Sequence, residues 1–328
     1  MKTALIMGIT GGFGGHVADA LARDGWQIRA LMRDPAKLPD RFADAQAVRG
    51  DASNVEEVRA AVGGADLIVY GVNAPYPKWE GTVVPMLDVA ATVAEEQGAT
   101  ILFPGNVYSL NPEDGSRYRD GLDESAPIDP PTRKGELRAQ MEARLREAAN
   151  NGARVIVVRA GDFIGRGASS WVQYTIKRTR QGYTVNAPSD PGLVHTYANL
   201  PDMAQVAADL VARQDELPAF NVFHLKGYRV NYRDIAAAIE QASGRPVKIG
   251  RFPWWLMRLV SPFSPLVRSL LEMRYLWQVE LNLDDRKLRE FYGRPVQYTP
   301  LAEALVDAGV IEQKDSGTNS SMINHAIN

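Results

Sequence analysis

The stretch Met1-Lys-Thr-Ala-Leu-Ile-Met-Gly-Ile-Thr-Gly-Gly-Phe-Gly-Gly15 decides how the rest of the chain reads. Residues 4–7 are an apolar run that predicts a buried strand, broken at Gly8. Glycine recurs at Gly11 and Gly14, and over residues 16–23 Val17, Ala18, Ala20, Leu21 and Ala22 fall mostly on one helical face. Strand, glycine turn and helix, in that order, open a dinucleotide-binding βαβ unit. The glycines let backbone approach a pyrophosphate, and the helix N-terminus presents free N–H groups and the positive end of its dipole. Gly8, Thr10, Gly11, Gly12, Phe13 and Gly14 are therefore the expected phosphate-side residues. The competing reading is a tight strand–helix turn without a ligand.

Outward from this turn, residues 27–32 predict a second strand ending at Arg33-Asp34-Pro35. In such units an acid at this strand end accepts from the 2′-hydroxyl of NAD(H), and an arginine pairs with the 2′-phosphate of NADP(H). Arg33 follows the strand directly. Asp34 comes one step late and precedes Pro35, where it suits a turn cap. NADP(H) is thus preferred over NAD(H), against the plainer reading of Arg33 as a solvated loop residue.

The pattern then repeats. A short strand ends near 48–51, a helix spans 55–62, and strands are expected at 65–71, 99–103, 154–159 and, near the sheet edge, 221–225. A helix at 82–97 and another at 134–150 complete the series. Repeated β-α units with short loops imply an α/β fold, a Rossmann-like doubly wound parallel sheet with helices on both faces. Residues 1–165 form the expected NAD(P)-binding domain, with later returns near 193–225. Residues 166–312 form a smaller, mostly helical C-terminal substrate lobe interleaved with it, and the polar tail 313–328 is expected to be disordered. The aromatic, proline- and arginine-rich stretch 254–277 reads as helical packing of that lobe, as a lid or dimer contact, or as a membrane-skimming helix broken by its prolines.

Composition removes several function classes. The 328-residue chain carries a net charge of −2, giving no reason to expect a nucleic-acid partner. It has no cysteine, so thiol catalysis, disulfides and Cys-ligated metals are out of reach. His16, His195, His224 and His325 lack ligand spacing, and no metal site is expected. The apolar run before the glycines is too short for a signal peptide, and no stretch approaches the roughly 20 apolar residues of a membrane span. A cytoplasmic protein with a small-molecule substrate is expected.

The G-x-x-G-x-x-G spacing, in place of G-x-G-x-x-G, resembles the short-chain dehydrogenase/reductase superfamily in its extended and atypical branches, which are NAD(P)-dependent epimerase/dehydratase-like, over residues 1–310. The resemblance implies that Asp51 and Ala52 meet the adenine, and that Val72 and Asn73 run past the phosphates and ribose. It also implies that the loop holding Gly161, Asp162 and Phe163 passes under the nicotinamide, with capping of a turn as the other role for Asp162. In that superfamily a Ser or Thr follows the fifth strand and a Tyr-x-x-x-Lys pair lies on the next helix. Here Pro104 replaces the serine, while Lys134 and Arg138 occupy the tyrosine and lysine slots, aligned on Glu142. Lys-x-x-x-Arg-x-x-x-Glu looks like the isoflavone-reductase-like branch, whose lysine is thought to take the tyrosine's part.

Positions 134, 138 and 142 share one helical stripe, although charge pairing on a solvated helix gives the same pattern. Asn106 and Tyr108 lie at the C-terminal end of a strand, where open α/β sheets bind ligands, Asn106 to orient a substrate oxygen and Tyr108 to donate a proton or else to pack. The resemblance also implies that His195 faces the substrate, and that helices 82–97 and 134–150 can build a homodimer. Lys177, Arg178 and Arg180 could meet a substrate phosphate or form a solvated face. The leading expectation is an NADPH-dependent oxidoreductase, a reductase of a small organic carbonyl, enone or imine, with Lys134 handling the proton. The alternatives are a non-catalytic NADP(H)-binding redox sensor resembling NmrA-like regulators and, more weakly, a nucleotide-sugar epimerase or dehydratase.

Overall fold

The computed structural model describes residues 1–112, 121–168 and 170–313. The tail beyond 313, expected to be disordered, and Tyr118 lie outside the described residues. The strands in chain order are β1 (Thr3–Met7), β2 (Gln27–Met32), β3 (Gln46–Arg49), β4 (Leu67–Tyr70), β5 (Thr100–Asn106), β6 (Arg154–Ala160), β7 (Asp162–Ile164), β8 (Ile176–Arg178), β9 (Tyr183–Ala187), β10 (His195–Asn199), β11 (Phe220–His224), β12 (Tyr228–Val230) and β13 (Val247–Arg251). The helices are α1 (Gly12–Arg23), α2 (Val55–Val62), α3 (Val83–Gln97), α4 (Arg133–Asn150), α5 (Trp171–Thr175), α6 (Leu200–Ala212), α7 (Tyr232–Ser243), α8 (Trp254–Val260), α9 (Pro265–Glu272), α10 (Arg286–Tyr292) and α11 (Leu301–Asp307).

Seven strands form one parallel sheet in the order β11-β6-β5-β4-β1-β2-β3. The order reverses direction between β1 and β4, which makes the crevice above their carboxyl ends the ligand position of a doubly wound sheet. The strands read as continuous apolar runs because both faces are covered. In β1, Ala4 and Ile6 join the core shared with α1 and α6, while Leu5 and Met7 join the opposite core shared with α2, α3 and α4. A period of two thus serves both helix layers.

Two boundaries differ from the sequence expectation in a way that matters. Helix α1 begins at Gly12, so the glycines are its first turn, where the strand–turn–helix pattern placed them before it. Strand β5 runs on to Asn106 through Pro104 and Gly105, carrying the chain further toward the crevice. Outside the seven-stranded sheet lie two three-stranded sheets, β12-β10-β7 and β13-β9-β8, built from strands of three to five residues, where residues 166–312 were expected to be mostly helical. Segments this short lack a visible period of two, which is why the sequence did not announce them.

Candidate functional site

At the turn after β1, three backbone segments meet with no side chain between them. A Cβ on Gly14 would lie 2.4 Å from the Gly8 carbonyl oxygen, and one on Gly71 would lie 2.9 Å from Gly14 Cα. Gly8 itself has φ +96°, a conformation other residues avoid. The N-cap of α1 is Gly11, with no side-chain cap, so the first-turn N–H groups stay available to an anion. Thr10 is exposed beside them, while Gly12 and Phe13 are buried. A dinucleotide fits this cradle: it needs close backbone approach and free N–H groups, and both are present.

Around the cradle, Arg33 is exposed at the end of β2. Asp34 is occupied, accepting from Ala36 N at 3.3 Å and lying 3.7 Å from Lys37 Nζ. Asn54 caps α2 through Glu56 N and Glu57 N. Asp51 therefore does not cap the helix. Its carboxylate accepts from the Ser53 hydroxyl and N–H, which hold it below the usual carboxylate range, with Arg33 adding to that effect. Val72 and Ala52 are partly buried, and Asn73 is exposed.

The second half of the site lies over the carboxyl ends of β4, β5 and β6. Gly135 on α4 sits where an added Cβ would be 2.3 Å from the Tyr108 carbonyl oxygen, so the turn after β5 rests directly on the helix. The stripe Lys134, Arg138 and Glu142 faces inward and does not form a solvated face. Lys134 and Glu142 are buried and Arg138 is half-buried. The exposed charge pairs of this helix are on its other side, as with Arg133 and Glu136.

Each member of the stripe has a different surrounding. The Lys134 ammonium is ion-paired with Glu272 at the end of α9, and that carboxylate also accepts from Lys134 N at 2.9 Å. The ammonium lies 5.6 Å from the Tyr76 ring centre. The Arg138 guanidinium stacks on Trp79 at 4.9 Å and Phe103 at 5.6 Å, and burial lowers its pKa. It makes no hydrogen bond or ion pair among the described residues, and its Nε is buried without a partner. Glu142 accepts from Arg159 Nη2 at 2.5 Å, and Arg159 Nη1 donates to His224 Nε2 at 2.7 Å. His224 Nδ1 donates to the Leu122 carbonyl at 2.8 Å, which fixes the neutral tautomer. Burial, reinforced by Arg159, lowers the His224 pKa to about 3. Glu142 is thus held inside the protein by this network.

Tyr108 and Tyr76 share a hydroxyl–hydroxyl bond of 2.7 Å, and burial raises both pKa values. A raised phenol is a weak proton donor. Asn106 uses its Oδ1 to accept from Tyr108 N at 3.1 Å, which ends β5 in a tight turn. His195 on β10 is buried, its ring 4.8 Å from Trp277 and its Nε2 without a partner. Burial lowers its pKa to about 4, so it is neutral at pH 7. Phe163 is partly buried on β7, and Gly161 packs where a Cβ would be 2.0 Å from the Thr196 carbonyl oxygen.

Asp162 is the group that ties these together. It opens β7, directly opposite Tyr197 in the pairing with β10. Its charge raises the pKa of four surrounding tyrosines, Tyr76, Tyr108, Tyr197 and Tyr232. It has no hydrogen-bond donor among the described residues, and burial raises its pKa to about 7. A carboxyl at that value exchanges a proton readily at neutral pH.

Two of these groups were not singled out as chemistry in the sequence. Tyr76 sits in the loop after β4 with no motif around it, and Glu272 comes 138 residues after its lysine partner. Asp162 had two readings there, and only the absence of a cap partner separates them. The basic cluster is solvated: Lys177 and Arg178 are exposed, and Arg178 pairs with Glu312. A surface concavity lined by Asp66, Thr100 and Arg154 lies at the opposite, amino-terminal edge of the sheet. Its main polar groups are already paired: Arg154 donates to the Gln214 and Leu217 carbonyls, and Thr100 to Gln214. Among the described residues no group of three or more acidic or histidine side chains could hold a metal, and no helix is long and apolar enough to cross a membrane.

Comparison with known proteins agrees with this geometry. Residues 8–100 match a family model described as NAD(P)H-binding. No curated protein matches the sequence. Among solved structures, a Burkholderia cenocepacia J2315 protein provisionally assigned as an epimerase superposes with TM-score 0.73 at 17% identity, over 94% of this chain and 96% of that one. UDP-N-acetylglucosamine 4-epimerase from Bacillus cereus gives 0.70 at 14% identity, over 94% and 99%. UDP-glucose 4-epimerase from Brucella ovis, in complex with NAD, gives 0.67 at 15% identity, over 96% and 97%. The chain therefore carries an NAD(P)H-binding domain and has, along nearly its whole length, the fold of the NAD(P)-dependent epimerase/dehydratase-like short-chain dehydrogenase/reductases.

Proposed function

We propose that this protein is an NADPH-dependent reductase of a small organic carbonyl, enone or imine. One observation carries the reading: Asp162, just past the carboxyl end of β6, has no hydrogen-bond donor among the described residues, acts on Tyr76, Tyr108, Tyr197 and Tyr232, and is pushed up by burial to about 7. A dihydronicotinamide bound there supplies a hydride. The chain must then deliver one proton to the substrate heteroatom. Asp162 is protonated in about half the molecules at its own pKa and gives up that proton without the penalty a raised phenol carries. For a carbonyl, the carbon gains the hydride, the oxygen gains the proton, and the Asp162 carboxylate is reprotonated from solvent.

Lys134 holds a positive charge beside Tyr76 and tethers the smaller lobe through Glu272. Arg138, an unpaired guanidinium in the same cluster, supplies charge to hold a ribose hydroxyl or the substrate's developing oxyanion. Asn106 and His195 hold the substrate as neutral groups. NADPH oxidation is followed by absorbance against a pooled panel of aldehydes, ketones, enones and imines. Lys134→Met is expected to lower turnover about tenfold to a hundredfold by loosening the lobe, with KM rising more than kcat falls. Unchanged kinetics in this variant would remove Lys134 from the mechanism.

The preference for NADPH rests on Arg33. Arg33→Ala is expected to weaken NADPH about tenfold to a hundredfold, the worth of one or two charge-assisted hydrogen bonds, and to leave NADH unchanged. Equal losses for both cofactors in titration would make Arg33 a general phosphate contact. The fold-level likeness to UDP-sugar 4-epimerases supports a second reading, an epimerase or dehydratase that regenerates its cofactor. It predicts product formation with no net NADPH consumption, which the same assay distinguishes. The substitution of Lys134 for the family's tyrosine weighs against it.

A further inference from the structure

Between Glu240 and Glu272 the chain has no acidic residue and five basic ones, Arg245, Lys248, Arg251, Arg258 and Arg268. All five are exposed, and none has an ion-pair partner among the described residues. Among the described residues the same segment holds the largest run of exposed apolar side chains: Phe263 is 89% exposed, Trp255 67% and Leu259 64%, flanked by Leu256, Val260 and Leu266. A patch of this kind on a water-facing surface marks an interaction site.

The prolines do not dissolve the segment. They divide it into two short helices, α8 and α9, joined by a tight turn. The root is fixed: Trp254 is buried, donates Nε1–H to the Pro188 carbonyl at 2.5 Å, and stacks among Phe252 and Trp171. The tip is fixed too, because Arg268 donates to the Ser261 and Pro262 carbonyls at 3.2 and 3.1 Å and Ser264 caps α9. The result is a preformed apolar knob on a segment whose five cations have no ion-pair partner among the described residues. A second copy of the chain would bring the same five positive charges against these, so self-association is electrostatically opposed. A bilayer carrying anionic headgroups offers the complementary pairing, apolar side chains into the acyl boundary and cations to the phosphates.

We propose that α8, α9 and the turn between them form a docking surface for an anionic lipid bilayer. The test uses the full-length protein and vesicles of phosphatidylcholine alone or with about 30% phosphatidylglycerol, read by co-sedimentation and by the tryptophan emission maximum. Binding is expected to the anionic vesicles with a blue shift, and to fall at least about tenfold in 0.5 M salt. Leu259→Ser with Phe263→Ser, and separately Arg251→Glu with Arg258→Glu, should each reduce it by a similar factor while leaving the circular dichroism unchanged. These exposed side chains take no part in folding contacts, so loss of fold is not expected to confuse the result. Equal partitioning of wild type and both variants overturns the proposal, as does failure to bind either vesicle. Concentration-dependent dimerisation abolished by the serine pair would overturn it in favour of a self-association surface. None of these readouts depends on turnover, so the reductase reading can fail without affecting it.

Discussion

Asp162→Asn is expected to lower kcat by at least about a hundredfold, the usual worth of a placed general acid. The wild type should lose activity as the pH rises through about 7, because the donor is then a carboxylate. The variant should show no fall in that window. The stability of the wild type should fall over the same window. The Asp162 pKa is raised from 3.8 to about 7 in the fold, so between those values the native state binds more protons than the unfolded chain. The protonated group contributes its full stability below about pH 4, and this is lost as the pH rises through about 7. A rise of that size corresponds to about 4 kcal/mol, and partial solvent access to this half-buried side chain reduces it to about 1–3 kcal/mol.

Asparagine resembles the protonated form, so the variant should be more stable than wild type at pH 8 and equal to it at pH 4. Thermal melts at the two pH values and a pH–rate profile test both halves together. A variant that is inactive and also less stable at pH 8 has lost structure, and would give Asp162 a packing role. Unchanged turnover with an unchanged profile would place the proton donor elsewhere, with Tyr108 next in line. Such opposed signs are expected where a fold holds a buried carboxyl for chemistry at a cost in stability.

The glycine turn after β1 was legible in the sequence and the contacts of Tyr76 and Glu272 were not, for a physical reason. Gly8, Gly11 and Gly14 are local: one strand end and one helix start determine what they must be, and a short spacing records it. The turn-capping role of Asp34 was legible for the same reason, since a cap lies within three residues of the N–H it satisfies. Tyr76 meets Tyr108, and Glu272 meets Lys134, across 32 and 138 residues of chain, and no spacing records that. The inward turn of Lys134, Arg138 and Glu142 was undecided in the sequence because the helix is charged on both sides. What turns it inward is Gly135, which lets Tyr108 rest on the helix, and Arg159, which draws Glu142 into the core.

Gly14→Val is expected to abolish measurable NADPH binding, weakening it by more than a hundredfold, and to destabilise the fold by about 3 kcal/mol or more. The atoms a Cβ would strike are the Gly8 carbonyl oxygen at 2.4 Å and carbon at 2.8 Å, which are backbone and cannot rotate away. Gly71 closes the third side, since a Cβ built on it would lie 2.9 Å from Gly14 Cα. Helix α1 could yield only by lifting its first turn, and that turn bears the N–H groups offered to the pyrophosphate. The rest of α1 is committed to the core through Val17, Ala18 and Leu21, so a wholesale shift would cost more than local unwinding.

Gly25→Ala is the matched comparison. Gly25 has φ +80°, but no atom lies within 4 Å of an added Cβ. It should lose about 1 kcal/mol from backbone conformation alone and bind NADPH within about twofold of wild type. The contrast separates what a glycine does for its own φ from what it does for a neighbour's approach. Isothermal titration with NADPH and chemical denaturation of both variants measure the two effects. If Gly14→Val folds and still binds NADPH as wild type does, the turn is only a packing device, and the nucleotide must be held elsewhere over the sheet. Loss of binding with most of the stability retained would show that the first turn of α1 can be sacrificed without the fold, and that it exists for the phosphate.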